Sequence, residues 1–326
     1  MILIYNESTD PAFNLAMEEY LLTQSDEEIM MLWRNNKAVI IGRNQNAIEE
    51  INCDFVCDNN ITVIRRMTGG GAVFHDLGNI NFTFIEKYKE GEFNNYEKFT
   101  APIRDYLKTI GVNATLTGRN DLLVDGMKVS GNAQTVKNGR IMHHGTLLFS
   151  ANIQSLSGAL KPKDIKIESK GIKSVKSRVT NISSHLESDM TSEEFLMSLQ
   201  SYLQNNVEGI VPYKLKKQDI EAVDKLVFEK YGKWEWNFGQ SPKFNYEREQ
   251  KFDFGIVQVK MSVDAGIVES INIYGDFFGI NDISRLEDTI RGIKHQKSEI
   301  KKALEEIDIS SYIHSMTKDQ FIDMLI

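Results

Sequence analysis

Three consecutive glycines, Gly69 to Gly71, follow two arginines in the segment RRMTGGGAVFHD, Arg65 to Asp76. Glycines in such a run let the backbone approach a ligand closely and turn several N–H groups toward an anion, as phosphate cradles do. The spacing fits neither G-x-x-x-x-G-K-[ST] nor G-x-G-x-x-G, and the run leads into Ala72-Val73-Phe74-His75, a strand pattern rather than a helix. A P-loop and a dinucleotide-binding fold are therefore excluded. On residue types alone, a tight turn beside two arginines stays open as the plainer reading.

A second constellation runs from Asp121 through the hairpin signal Asp125-Gly126 to Lys128-Val129-Ser130-Gly131. A lysine between apolar neighbours near the start of a strand suits a point charge aimed at a carboxylate or phosphate, with a surface lysine beside a bulge as the alternative. Asp121 is a hard oxygen ligand of the kind Mg²⁺ takes together with substrate phosphates. His143 and His144 are adjacent on a strand pattern, so they face opposite sides and cannot share one metal; His144 is the candidate for a pocket wall. From Lys161 to Arg178 the charge is net +5 over 18 residues, either a solvated face or a lid that closes on a phosphate-bearing ligand.

The elements that must hold these residues alternate strand and helix. Strand patterns cover Met1–Tyr5, Ile61–Arg66, Asn79–Ile85, Leu122–Val124, Lys128–Gln134 and Ile141–Ser150; Ile29–Arg34 and Ala38–Gly42 read as a hairpin across Asn35-Asn36. Helical spacing marks the segment opened by Asp10-Pro11, Ala47–Cys57, the stripe Tyr96, Phe99, Ile103 and Leu107, Thr191–Asn205 and Lys217–Lys230. Cys53 and Cys57 read as helix or core residues, since two cysteines build no disulfide framework and C-x3-C is not a usual zinc pair. Near residue 245 the pattern restarts with a hairpin, Phe252–Met261 and Ile267–Tyr274, and two or three helices.

With 326 residues, 41% hydrophobic and 26% charged, the chain has ample core for two domains or for one large domain with an appendage. The net charge of −8 argues against a nucleic-acid partner held by phosphate neutralisation. The N-terminus MILIYNESTDP reads as neither a signal nor a transit sequence, and no apolar run reaches the ~18 residues of a membrane span, so a cytoplasmic protein without a membrane partner is expected.

The segments RRMTGGGAVFHDLGNINFTF, GRNDLLVDGMKVSGNAQ, HHGTLLFSANI, GIKSVKSRVTNI and KWEWNFGQSPKF, in this order, resemble the lipoate–protein ligase A family over nearly the whole chain. The resemblance implies an α+β fold: a large catalytic domain, residues 1–245, with a mixed β-sheet flanked by helices, and a small α/β accessory domain, residues 246–326. It implies that lipoate and ATP, with Mg²⁺, form lipoyl-AMP, and that the lipoyl group passes to a lysine of an acceptor. Acceptors are lipoyl domains of 2-oxoacid dehydrogenase E2 subunits and the glycine-cleavage H protein; no tightly bound prosthetic group is implied, and the chain is expected to be a monomer.

By the same resemblance, Arg66, Gly70, Gly71, Ala72, Val73 and Phe74 match nucleotide-contacting positions, and Lys128 contacts both the lipoate carboxyl end and the ATP phosphate. His75, His144 and Gly71 match the lipoate pocket, Asp121 the metal position, and Ser174, Arg178, Val179, Thr180 and Asn181 the adenylate-binding loop. Met67 stands where the family often has a further basic residue. An ATP-independent lipoyl or octanoyl transferase is the alternative; it needs an activated thiol in the pocket, and no cysteine follows Cys57. A biotin ligase fits less well because the resemblance reaches Phe244, and a silent binder would have lost Lys128 or the glycine run.

Overall fold

The computed structural model describes all residues except Arg119, 161–178, 239–243 and Ala265, and for Ile48 the backbone alone. The chain opens with β1 (Ile2–Tyr5), α1 (Pro11–Gln24), β2 (Ile29–Trp33), β3 (Ala38–Ile41), α2 (Ala47–Glu50), α3 (Cys53–Asp58), β4 (Thr62–Arg65) and β5 (Val73–His75). It continues with β6 (Asn79–Lys87), α4 (Tyr96–Thr109), β7 (Thr115–Thr117), β8 (Asp121–Val124), β9 (Met127–Lys137), β10 (Arg140–Leu148), α5 (Ile153–Ala159), α6 (Ser192–Asn206), β11 (Val211–Tyr213), α7 (Lys217–Leu226) and α8 (Trp234–Asn237). The last part holds β12 (Tyr246–Phe252), β13 (Gly255–Asp264), β14 (Ile267–Gly275), α9 (Ile283–Ile290), α10 (Lys297–Ala303) and α11 (Lys318–Leu325).

Eight strands form one mixed sheet in the order β11-β1-β2-β6-β10-β9-β8-β7, parallel from β11 to β2 and antiparallel beyond. Both its faces are covered. Phe82, Phe84 and Leu32 on one face pack against Phe99 and Ile103 of α4 and Phe195 and Leu199 of α6, while Met31, Trp33 and Met142 on the other meet Leu15, Leu21 and Leu22 of α1. A second, three-stranded sheet, β4-β3-β5, leans on the α1 side, and a third, β12-β13-β14, builds the C-terminal part with its own core around Val257, Ile273, Leu286 and Phe321. The architecture is the α+β arrangement read from the sequence, a large mixed sheet flanked by helices plus a small C-terminal sheet.

Local chemistry explains the junctions that place the site. Asp10 Oδ1 accepts from the N–H groups of Ala12 (2.7 Å) and Phe13 (3.0 Å), and Pro11 at the first helical position loses no bond, so α1 starts where the sequence indicates. Asp125 and Gly126, at φ 50° and 76°, make the tight reversal between β8 and β9 that sets Lys128 at the strand's beginning. Asn138 and Gly139, at φ 51° and 71°, repeat the device before β10.

The segment Ile29–Gly42 differs from its expectation. It is not a hairpin: β2 pairs with β1 and β6 in the large sheet, and β3 pairs with β4 and β5 in the small one. Asn35 is fully buried, its side chain engaged by Asn14, so the Asn-Asn pair carries the chain across from one sheet to the other instead of reversing it. The helix read over Ala47–Cys57 is two short helices separated at Ile51-Asn52, and Cys53 and Cys57 are helix residues on α3, exposed there and not part of the core. Strand β12 went unread because its side chains are mostly exposed and charged.

The C-terminal part rests on the glycine turn and the loop after β3. Gly275 N–H donates to Asn44 O (2.7 Å), Arg43 pairs with Asp282, and Lys260 pairs with Glu49. A Cβ on Gly69 would stand 2.3 Å from Phe277 O, so this close approach requires glycine. Among the described residues no helix is long and apolar enough to cross a membrane.

Candidate active site

Between the large and small sheets lies a cleft of about 620 Å³ including its open mouth. Its floor is a row across the large sheet, Trp33 of β2, Asn81 of β6 and Thr146 of β10, with His144 and Ala133 one step further along the strands. The opposite wall comes from the small sheet and its turn: Ile40, Arg66, Gly70, Gly71, Ala72, Val73 and His75; Leu15 of α1 closes one end. The alternation along β5 puts Val73 and His75 toward the cleft and sends the Phe74 side chain into a separate core with Val39 and Ile41, so Phe74 can meet a ligand only through its backbone.

Lys128 stands at the other end. Its Nζ lies 2.8 Å from Asp121 Oδ1, and it passes over Gly131, where a Cβ would sit 2.9 Å from Nζ; the glycine leaves the lysine its path. Thr180 N–H donates to Lys128 O (3.0 Å) and Val179 bridges Lys128 in parallel, so these two residues back the lysine. Asn181 instead exchanges two 3.0 Å hydrogen bonds with the Ala151 backbone and holds the chain there. Ser174, Arg178 and the cationic stretch of which they are part lie outside the described residues.

The paired arginines do different work. Arg65 faces away and spends its guanidinium on the carbonyls of Gly42, Arg43, Gln45, Trp236 and Asn237, tying the loop after β3 to α8. Arg66 lines the cleft yet donates to Thr68 Oγ1 (2.8 Å) and to the carbonyls of Ile40 (3.1 Å), Gly69 (2.7 Å) and Gly71 (2.9 Å), fixing the glycine turn from beneath. Those four bonds leave one of its five N–H donors for a ligand. Burial pulls both guanidinium groups down to about 10, which leaves them charged at neutral pH, and the Glu18 carboxylate favours the charge on Arg66.

A buried polar chain continues from there. Thr68 Oγ1 meets His144 Nε2 at 2.8 Å, His144 Nδ1 lies 3.0 Å from each oxygen of Glu18, and Glu18 Oε1 accepts from Thr83 Oγ1 at 2.6 Å. Trp33 Nε1 donates to Thr83 Oγ1 (2.9 Å). His143, on the opposite face of the sheet, stacks on Phe99 (4.9 Å) and is held between Gln134 and Asn132, with burial lowering its pKa well below the usual range. The two histidines thus face opposite sides, as their adjacency demands. Among the described residues no group of three potential ligands forms a metal cluster.

Residues 10–204 match the lipoyl protein ligase A/B catalytic domain, and residues 241–325 match the bacterial lipoate protein ligase C-terminus. The chain belongs to the lipoate–protein ligase family. It is 44% identical, over an alignment of 330 positions that takes in all of both chains, to lipoate-protein ligase LplJ of Bacillus subtilis. It is 42% identical to lipoate–protein ligase 1 of Staphylococcus aureus over 98% of each chain. The crystal structure of P. falciparum LipL1 in complex with lipoate superposes at a TM-score of 0.79 and 27% identity, covering 99% of this chain and 96% of that one. A bipartite lipoate protein ligase from Thermoplasma acidophilum, whose structural study includes its E2 lipoyl domain, matches 74% of this chain and 96% of its own at a TM-score of 0.64 and 27% identity.

Glu18, Trp33 and Asn35 escaped the sequence: Trp33 lines this ligase's cleft, while Glu18 and Asn35 lie behind it and hold His144 and His75. The first had a signal, since Asn14 and Glu18 recur four residues apart among apolar neighbours of α1, both almost fully buried, and buried polar groups are kept for their partners. Trp33 read as one apolar residue of a strand, and Asn35 as half of a turn.

Proposed function

We propose that this ligase activates lipoate with ATP to lipoyl-AMP and pyrophosphate, then transfers the lipoyl group to the ε-amine of a lysine on a lipoyl domain or an H protein. One observation carries the reading: one cleft is walled by the apolar Leu15, Trp33 and Ile40 and lined also by Lys128 and by Gly71, whose backbone has open space beside it. An acyl chain fits the apolar wall, and carboxylate and phosphate oxygens fit the ammonium and the glycine backbone. Attack of the carboxylate on the α-phosphorus brings two anions together, and Lys128 is placed to neutralise both as the bond to pyrophosphate breaks. Gly71 has nothing within 4 Å of where a Cβ would project, so a ligand can approach its backbone directly.

Asp121 offers one carboxylate oxygen beside Lys128, which suits a Mg²⁺ held mainly by ATP phosphates; the ion would add charge neutralisation there. In the second step the acceptor amine attacks the acyl carbon and AMP departs, a reaction that asks the protein chiefly for positioning. The catalytic unit is assigned to residues 1–245, the accessory unit to 246–326, and the working form to a cytoplasmic monomer. The Thermoplasma ligase forms a lipoylation system with its own E2 lipoyl domain, which supports the acceptor class. Against the transferase alternative, Cys53 and Cys57 are exposed on α3 and neither lines the cleft.

The test is to incubate the chain with lipoate, MgATP and an unmodified lipoyl domain and read the acceptor's intact mass. A gain of one lipoyl group that requires ATP is expected. Transfer from octanoyl-carrier protein without ATP would establish the transferase instead.

A further inference from the structure

A chain of buried amides behind the cleft ends in a donor that the protein itself does not use. Asn14 Nδ2 lies 3.0 Å from Ser8 O and 2.9 Å from Arg34 O; both are backbone carbonyls, which can only accept, so this atom is the amide nitrogen. A third neighbour of this nitrogen, 2.8 Å away on Asn35, shares its two hydrogens with those carbonyls and must be the amide oxygen, since a nitrogen there would set donor against donor; the other end of Asn35 is therefore its donor, 3.1 Å from His75 Nδ1. His75 Nδ1 therefore accepts. In the neutral ring the proton is on Nε2, and that atom is buried without a hydrogen-bond partner while the ring lines the cleft. Burial, together with the nearby Arg66 and His144, pushes His75 down to about 3, so the ring is neutral under working conditions.

The place of this donor in the cleft identifies its acceptor. His75 packs edge-on against Trp33, with ring centres 6.3 Å apart, beside Leu15 and Ile40. Across the floor, Trp33 is followed by Asn81, then Thr146, whose Oγ1 meets Gly131 N–H (3.1 Å) beneath Lys128. Three inter-strand spacings, about 14 Å, separate the two ends. An extended lipoyl chain with its carboxyl at Lys128 carries its ring to the His75 end, where a sulfur is the polarisable acceptor a buried N–H can meet.

We propose that Asn35 is a positioning residue that locks His75 in its Nε2–H tautomer, and that this N–H donates to a dithiolane sulfur, favouring lipoate over octanoate. The inference rests on the lipoate site proposed above. Asn35→Asp keeps size and the bond from Asn14 but replaces the donor with an acceptor, which takes the ring proton onto Nδ1. Measured above neutral pH, where the ring stays neutral, the lipoate-to-octanoate ratio of kcat/KM for ATP-dependent ligation is expected to fall about 3- to 10-fold, mainly through KM. His75→Phe, which keeps an aromatic ring and removes the donor, lowers the ratio by the same factor. Nitrogen-15 spectra of histidine-labelled protein, assigned by the signal lost in His75→Phe, show Nε2–H in the natural chain and Nδ1–H in Asn35→Asp. An Nδ1–H ring in the natural chain overturns the tautomer lock; the expected tautomers with an unchanged ratio in both variants overturn the sulfur contact. Natural protein that ligates neither acid with ATP refutes the underlying function, and the inference falls with it.

Discussion

Replacing Lys128 by alanine separates the chemistry of the cleft from its architecture. Lys128 and Asp121 are 33% and 36% exposed and 2.8 Å apart. An ion pair that open to solvent contributes about 0–1 kcal/mol, so the variant's melting temperature should drop by no more than roughly 2–4 °C. The strand beneath is unaffected, because Gly131 offers no side chain to leave unsupported and Lys128's own carbonyl keeps its bond from Thr180. The charge loss falls instead on the transition state, where removing a preorganised donor costs on the order of 100- to 1000-fold. The assay is lipoate-dependent exchange of labelled pyrophosphate into ATP, run beside a thermal melt. A folded variant whose exchange stays within about tenfold of the natural chain would refute the role given to Lys128.

The glycine turn yields a paired prediction. A Cβ on Gly42 would stand 1.9 Å from Gly70 O, so Gly42→Ala should destabilise the chain by about 1–3 kcal/mol in urea titration, whereas Gly71→Ala, with open space around it, should fold normally and raise the KM for ATP or lipoate. Glu18→Leu strands His144 and Thr83 and leaves Arg66 without its compensating charge, and a loss of about 3–5 kcal/mol is expected; a shift below the resolution of the urea midpoint would contradict the network. Glu287 is raised from 4.5 to about 7 by burial, so its folded form holds a proton that the unfolded chain releases. Stability from this group is full below pH 4.5 and declines as pH rises to about 7, by up to roughly 3 kcal/mol, and Glu287→Gln should remove that decline from the difference between the two stability–pH curves.

What the sequence made legible was the chemistry carried by contiguous residues. The glycine run, the Asp125-Gly126 reversal and the face-switching pair His143-His144 each work within one or two elements, and local geometry decides them. Less was legible where a residue's partner comes from a distant element. Arg65 and Arg66 are neighbours of identical type, yet one binds loop carbonyls on the far side and the other holds the cleft wall, a distinction set by strand alternation and by α8, some 170 residues later in the chain. The bonds of Asn181 to the Ala151 backbone, 30 residues away, are likewise not readable from its loop.

Asn35-Asn36 shows why the rest was not readable. Two asparagines between apolar runs are strong turn chemistry. The turn is overridden because β2 and β3 each find better-matched partners elsewhere: β2 between β1 and β6, β3 between β4 and β5. Splitting the pair between two sheets opens the wedge in which the cleft forms, and it buries Asn35, which then needs both its donor and its acceptor satisfied. Asn14 supplies one partner and His75 the other, one from α1 and one from β5. The crossing that created the space for a ligand thus also fixed the orientation of a group lining it, and a fold that paired β2 with β3 as a hairpin would have had neither.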